Sequence, residues 1–110
     1  MTPRGAIEDR LTEPVLDQPP PLIDEFGVLR HRGAWLSLTP VQESIMRCLI
    51  NRLGHAVSPK EIAAAAWPAG GPDLHAINVH LHRLRPRLKD LGLVVHTLRG
   101  RGFLLESPSG

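Results

Sequence analysis

With 110 residues, 42% of them hydrophobic, the chain can bury one core and is too short for a second domain of ordinary size. Its longest apolar run, residues 62–67, is far below the roughly 20 residues that cross a bilayer, and no export signal opens the sequence. A single cysteine, Cys48, excludes an internal disulfide and lies on an apolar helical stripe. It predicts a small core residue and a reducing, cytoplasmic location.

The net charge is only +2, but the basic residues are concentrated late in the chain. Residues 75–103 contain six lysines and arginines against one acidic residue, with four histidines interleaved. Residues 1–20 have the opposite balance, two arginines against four acidic residues. This local concentration predicts a polyanionic partner, and a merely solvated basic face is the alternative.

The N-terminal part of the chain changes character at Leu22. Residues 1–21 hold five prolines, few aliphatic residues and no sustained periodicity, which predicts a flexible, proline-rich leader. Short β-like stretches then follow, separated by turn signals at Gly27 and at Arg32-Gly33, and they predict two or three antiparallel strands. The strands are expected at residues 22–23, 28–31 and 34–38.

Two helices are predicted next, each with a start signal. Thr39-Pro40 supplies a hydroxyl cap and a proline at the first helical position, and Gln42 completes a capping box. Gly54 is placed to end this helix in a left-handed conformation. Residues 58–61, Ser-Pro-Lys-Glu, repeat the start signal for a short alanine-rich helix that ends at Trp67-Pro68. The core stripe of the first helix is expected to be Val41, Ile45, Cys48, Leu49 and Leu53.

The third predicted helix begins after Asp73 and has two contrasting faces. Its apolar residues recur at spacings of three and four and should face the core: Leu74, Ile77, Leu81, Leu84 and Leu88. The opposite side carries His75, Ala76, Val79, His82, Arg83 and Pro86, flanked by Asn78, His80, Arg85 and Arg87. Such a helix is suited to insertion into a DNA major groove, and a generic amphipathic surface helix is the alternative.

Residues 93–105 predict a basic β-hairpin. The alternating segment 94–98 leads into Arg99-Gly100-Arg101-Gly102, and the strand pattern resumes at residues 103–105. Arginines at such a tip can enter a narrow minor groove or bind phosphate oxygens, and the glycines let the backbone approach closely. Because this hairpin follows the third helix directly, we expect the two basic elements to lie on one side of the domain.

Several of these segments carry a family resemblance. They are Leu38-Thr39-Pro40, residues 54–58 leading through Glu61-Ile62 to Trp67, residues 77–85 and residues 97–103. Over about residues 22–105 the chain resembles the effector domain of bacterial OmpR/PhoB-type response regulators. The resemblance implies an α+β winged helix-turn-helix domain at residues 22–106 with a short tail at 107–110. It has an N-terminal antiparallel sheet, three helices with 74–88 as recognition helix, and a C-terminal hairpin wing at 94–105.

The resemblance also implies a function: sequence-specific binding of double-stranded DNA and regulation of transcription, without a cofactor. The family binds direct repeats as tandem dimers, and the loop here at residues 68–73 can contact RNA polymerase. Together with helical geometry it assigns His75, Val79, His82 and Arg83 to base edges or adjacent phosphates, with Asn78 as a further base contact. It assigns Arg85, Arg87 and Thr97 to phosphates, and Arg99 and Arg101 to the minor groove.

The sequence departs from the family pattern in four places. No phosphoacceptor receiver domain precedes the domain, so we expect no phosphorylation control within this chain. Pro86 replaces a usual basic residue and predicts a kink or an early end of the third helix. Glu43 replaces a usual aromatic residue and predicts altered packing of the first helix on the sheet. His75 replaces a usual arginine and predicts weaker, pH-sensitive binding.

An enzyme, a metal-binding protein and a protein-docking module are the alternatives to DNA binding. An enzyme is not expected, because the sequence has no glycine-rich phosphate loop and no plausible acid–base pair. Metal binding is not expected, because His75 and His82 are about 10 Å apart along a helix and His80 points elsewhere. The remaining alternative is a winged-helix module that docks on proteins. That alternative predicts a neutral or acidic third helix and hairpin, the reverse of the pattern seen.

Overall fold

A computed structural model describes residues 19–108 of the chain. Most of the predicted leader, residues 1–18, and the last two residues of the predicted tail lie outside this range. Pro21, which the sequence assigned to the leader, is buried and lines a small cavity with Leu22 and Ile50. The packed domain therefore begins one residue earlier than predicted.

Three strands, three helices and a final pair of strands follow one another. They are β1 (Leu22–Ile23), β2 (Val28–His31), β3 (Ala34–Ser37), α1 (Pro40–Asn51), α2 (Pro59–Ala66), α3 (Leu74–Asp90), β4 (Val94–Leu98) and β5 (Gly102–Glu106). The first three strands form one antiparallel sheet in chain order, and β4 and β5 form an antiparallel hairpin. The predicted winged-helix architecture is confirmed. In the described part of the chain, no helix is long and apolar enough to cross a membrane.

Local chemistry accounts for the N-terminal sheet. The turn between β2 and β3 consists of Arg32 and Gly33, both with positive φ (52° and 79°), the backbone of a two-residue hairpin turn. Residues alternate across the sheet, so that Leu29 and Leu36 enter the core while Trp35 faces solvent. The hairpin is thus fixed by its turn and by one buried face.

Both predicted capping boxes are present. Thr39 Oγ1 accepts a hydrogen bond from the Gln42 backbone N–H at 3.3 Å, and the Gln42 side chain accepts from the Thr39 N–H at 3.1 Å. Ser58 and Glu61 make the same reciprocal pair at the start of α2. Hydrogen bonds from the Ser58 backbone and hydroxyl lower the pKa of the Glu61 carboxyl group. These caps explain why the helix starts could be predicted from a few residues.

Helix α1 is buried over a wider arc than the predicted stripe. Ile45, Met46 and Leu49 are fully buried, whereas Val41 and Cys48 of the predicted stripe are only partly buried. Leu53, also partly buried, lies beyond the helix, which ends at Asn51. Met46 was missed because α1 packs against α2 and also against β1 and β5, so more than one side of the helix is covered. Partial burial raises the pKa of the Cys48 thiol.

Glu43 joins α1 to the turn before β2, so the packing there is polar. Its carboxylate forms an ion pair with Arg47 at 2.9 Å, and Arg47 also donates to the Asp24 carbonyl oxygen at 3.3 Å. A methyl group on Gly27 would come within 2.9 Å of Glu43 Oε1. The Glu43 carboxylate therefore covers the backbone of Gly27. This is the contact of α1 with the first sheet that we expected Glu43 to change.

Helix α3 continues through Pro86 and ends at Asp90, two residues beyond the predicted end. Proline inside a helix costs about 3 kcal/mol. Leu84 and Leu88, on either side of Pro86, are both buried in the core, and each such leucine contributes about 1.5–3 kcal/mol. Their burial outweighs the local cost, so of the two effects expected of Pro86, a kink or an early end, the early end does not occur.

The prediction that Leu74 faces the core is also wrong. Its side chain is 48% exposed, whereas the other four residues of the predicted stripe are fully buried. Leu74 is the first residue of α3 and precedes the part of the helix that packs on the core. The helical spacing grouped Leu74 with the four core residues. Spacing along one helix does not show how far the core that packs against that helix extends.

The end of the chain is tied to the first sheet through His31, a buried polar residue. Its Nδ1 lies 2.6 Å from the Leu91 carbonyl oxygen, which can only accept, so Nδ1 carries the hydrogen. Its Nε2 forms a hydrogen bond with the Ser107 hydroxyl at 3.1 Å. Residue 107, assigned to the tail by sequence, is therefore part of the packed domain.

Candidate nucleic-acid interface

The solvent side of α3 carries most of the predicted base-contacting residues. Asp73 caps the helix by accepting from the His75 backbone N–H at 3.0 Å. Four predicted site residues have exposed side chains that make no hydrogen bond or ion pair with any part of residues 19–108: His75, His82, Arg83 and Arg87. Val79 is half-buried on the same helix. This face is therefore basic and open.

Asn78 differs from these residues because its side chain is used within the helix. Its Nδ2 donates to the Leu74 carbonyl oxygen one turn earlier, at 3.1 Å, while the residue stays exposed. One amide proton is thus engaged, and Oδ1 is left as an acceptor.

The wing is the hairpin of β4 and β5, with Arg99, Gly100 and Arg101 between the two strands. Both arginines are exposed, and within the described chain neither has a partner. Gly102, at the end of the tip, has φ +120°, and a methyl group there would lie 2.1 Å from the Val57 carbonyl oxygen. The sequence attributed this glycine to close approach of DNA. The structure gives it a different role, close packing against Val57.

Val57 pairs with the wing through an isolated β-bridge, which the sequence did not predict. Its N–H donates to the Phe103 carbonyl oxygen at 2.7 Å, and the Phe103 N–H donates back at 2.9 Å. A bridge of one residue has no periodicity, so no hydrophobic pattern in the sequence could predict it. It anchors the wing to the loop between α1 and α2.

Arg85 and Thr97 bond to each other, although the sequence predicted two independent phosphate contacts. The Arg85 guanidinium donates to the Thr97 hydroxyl oxygen at 2.9 Å and to the Val95 carbonyl oxygen at 3.2 Å. Arg85 therefore connects the middle of α3 to strand β4. The two positions are twelve residues apart in different elements, and no spacing rule would join them.

A cleft of about 440 Å³ lies between the start of α3 and the wing. Its walls are Ser58 and Pro59 at the start of α2, Leu74 and Asn78 from α3, and residues 97–103 of the wing. Leu74 and Asn78 of α3 and the wing tip line the same cleft, so the start of the helix and the wing tip lie next to each other. The lining includes two arginines and no acidic residue.

Charge pairing distinguishes this side from the rest of the molecule. Elsewhere, arginines are paired with carboxylates: Arg30 with Asp24 at 3.2 Å, Arg47 with Glu43 at 2.9 Å and Arg52 with Glu61 at 3.3 Å. Within residues 19–108, no carboxylate pairs with the arginines of α3 or of the wing tip. The uncompensated arginines therefore lie on α3 and at the wing tip, and Arg99 and Arg101 line the cleft itself. The same range holds no group of three or more His, Cys, Asp or Glu residues that could bind a metal ion.

The fold and the two basic elements around one cleft define a winged-helix domain of transcriptional regulators. The family described as "Transcriptional regulatory protein, C terminal" matches residues 33–105, and the chain belongs to this family. The predicted resemblance to OmpR/PhoB-type effector domains is thereby confirmed.

Individual relatives agree with this assignment. The DNA-binding dual master transcriptional regulator RpaA of Synechocystis is 31% identical, over 67% of this chain and 32% of that protein. The C-terminal domain of the nisin resistance regulator NsrR is 26% identical, with a TM-score of 0.67 over 79% of this chain and 91% of that one. The DNA-binding domain of CpxR from E. coli is 27% identical, with a TM-score of 0.58 over 83% and 100%. The chain spans about a third of the length of the curated relatives it matches.

Proposed function

We propose that the chain binds double-stranded DNA in a sequence-specific manner and thereby regulates transcription. The observation that carries this proposal is that the start of α3 and the wing tip line one cleft, while both elements carry exposed cations with no carboxylate partner within residues 19–108. The family supports it, since its relatives include proteins described as DNA-binding regulators and DNA-binding domains.

In this proposal α3 enters the major groove. His75, His82 and Arg83 are the exposed hydrogen-bonding groups that face base edges or neighbouring phosphates, and Arg83 suits the guanine edge best. Val79 contacts a thymine methyl group, and Asn78 offers Oδ1 as a secondary acceptor.

The wing lies at the adjacent minor groove. Arg99 and Arg101 enter the groove or bind its phosphates, while Arg87 and Thr97 bind phosphates beside the helix. Arg85 acts through Thr97, because its guanidinium is already bonded to that hydroxyl.

Two further partners belong to the proposal. The loop of residues 68–73 is exposed throughout, which suits the contact with RNA polymerase that the resemblance implies. Two copies of the chain would bind adjacent direct repeats in tandem.

Selection from a pool of random duplexes tests this function. We expect the wild-type chain to enrich direct repeats, and the Arg83→Ala chain to lose the enrichment at defined positions, because the helix then lacks its strongest base contact. Arg101→Ala should weaken binding with less effect on the enriched sequence. Arg30→Ala is the matched control and should leave the enrichment unchanged, because Arg30 lies on the N-terminal sheet and is paired with Asp24. Failure of the wild type to retain any duplex would contradict the proposal and favour a protein-docking role.

A further inference from the structure

We propose that the cleft between α3 and the wing holds the sugar–phosphate backbone of one DNA strand, and that Leu74 packs against a deoxyribose in it. This inference rests on the proposed function and adds a contact that neither charge nor base recognition supplies. It assigns a role to the leucine that the helical periodicity wrongly placed in the core.

Leu74 is an unusual residue for the exposed start of a helix. Asp73 supplies the cap, so Leu74 has no capping role. Its side chain is 48% exposed and lines the cleft beside Leu98, which is half-buried. An apolar surface therefore lies on the otherwise polar and basic side of the molecule.

The geometry of a duplex identifies the occupant. A major groove and the adjacent minor groove are separated by one sugar–phosphate backbone, so a protein that places one element in each groove must straddle that backbone. Here the space between α3 and the wing tip is this cleft. The strand that separates the two grooves therefore passes through it.

The lining suits both parts of a nucleotide backbone. A deoxyribose offers C–H groups, which match the side chains of Leu74 and Leu98, and a phosphate carries negative charge, which matches Arg99 and Arg101. No acidic residue lines the cleft to repel the phosphate.

Thr97 supplies a directed donor in the same cleft. Its oxygen accepts a hydrogen bond from Arg85 at 2.9 Å, so the hydroxyl proton points away from the guanidinium. A hydroxyl polarised by a cation is a stronger donor to a phosphate oxygen. The cleft thus presents apolar walls for the sugar and an oriented donor for the phosphate.

Substitution of Leu74 tests the inference by its effect on affinity, salt dependence and sugar protection. We expect Leu74→Ala to weaken binding to specific and random duplexes alike by about three- to ten-fold, the effect of losing half of a leucine's apolar contact. The slope of log K against log salt should stay unchanged, because no phosphate charge contact is lost. In hydroxyl-radical footprints, protection of the sugars between the two grooves should fall.

The chain offers matched controls. Leu22→Ala removes a leucine with 51% exposure on the other sheet and should leave DNA affinity unchanged. Leu74→Met keeps an apolar side chain and should restore near wild-type binding. Thermal unfolding of each variant reports whether the fold is retained, and the half-exposed position of Leu74 predicts little change.

The outcomes separate this inference from the proposed function. If the wild type binds no duplex, both fail. If the wild type binds DNA and Leu74→Ala behaves like Leu22→Ala, with the same sugar protection, the cleft assignment alone is overturned. A reduced salt slope in Leu74→Ala would also overturn it, since the loss would then be electrostatic. A change in the oligomeric state of the DNA-free protein on Leu74→Ala would also overturn the inference, because the cleft would then be a contact between two copies of the chain.

Discussion

At the scale of single residues, a side chain's role in DNA binding depends on whether it is already hydrogen-bonded to a neighbouring side chain. Thr97 and Arg85 both seemed free to bind phosphates when considered along the sequence, yet in the fold they share a hydrogen bond. Arg83 and Arg87, on the same helix, have no such partner within residues 19–108. Sequence could therefore predict which residues are basic and exposed, but not which of them act through another side chain.

A double-mutant cycle on Arg85 and Thr97 tests this coupling. Arg85→Ala and Thr97→Val should each weaken DNA binding by about 1 kcal/mol, and the double variant should lose little more than either one, because both break the same unit. Binding isotherms of the four chains on one duplex give the coupling energy.

The control cycle pairs Thr97→Val with Arg87→Ala, whose losses should add because these residues are not bonded. Additive losses for Arg85 and Thr97 as well would mean that the two residues contact DNA independently.

At the scale of elements, local chemistry made most of the fold predictable. The caps at Thr39 and Ser58 and the turn at Arg32-Gly33 each need only a few adjacent residues, and all three were predicted. The bridge at Val57 and the exposure of Leu74 depend on elements distant in sequence, and both were missed. Whether α3 would continue straight through Pro86 could not be decided from the sequence for the same reason, since core packing decides it.

Two glycines of the wing should respond differently to the same substitution. Gly102→Ala should destabilise the domain by about 2–4 kcal/mol, because the added methyl meets the Val57 backbone in a conformation unfavourable to L-residues. Gly100→Ala should cost about 1 kcal/mol, since its φ is also positive but no atom lies within 4 Å of the added methyl. Urea unfolding measures both. Equal losses at the two positions would show that Val57 does not constrain the wing.

At the scale of the whole molecule, the distribution of charge matters more than its total. The net charge of +2 is small, but three arginines elsewhere are paired with carboxylates, whereas within residues 19–108 the arginines of α3 and of the wing tip have no carboxylate partner. The sequence revealed the basic segment, whereas the meeting of helix and wing at one cleft required the tertiary structure. That arrangement follows from packing α3 between the core and β4, with the wing held at Val57.

The salt dependence of DNA binding tests the joint use of the two basic elements most directly. Each phosphate contact contributes about −0.9 to the slope of log K against log salt. Replacing Arg99 and Arg101 together by alanine should therefore make the slope shallower by nearly two, and Arg87→Ala, which removes a proposed phosphate contact of the helix, should make it shallower by nearly one. Replacing Arg30 and Arg52, both paired with carboxylates, should leave the slope unchanged. If the slope stays unchanged in the wing variants or in the helix variant, or if it changes equally in the control, the claim that both elements hold the duplex is contradicted.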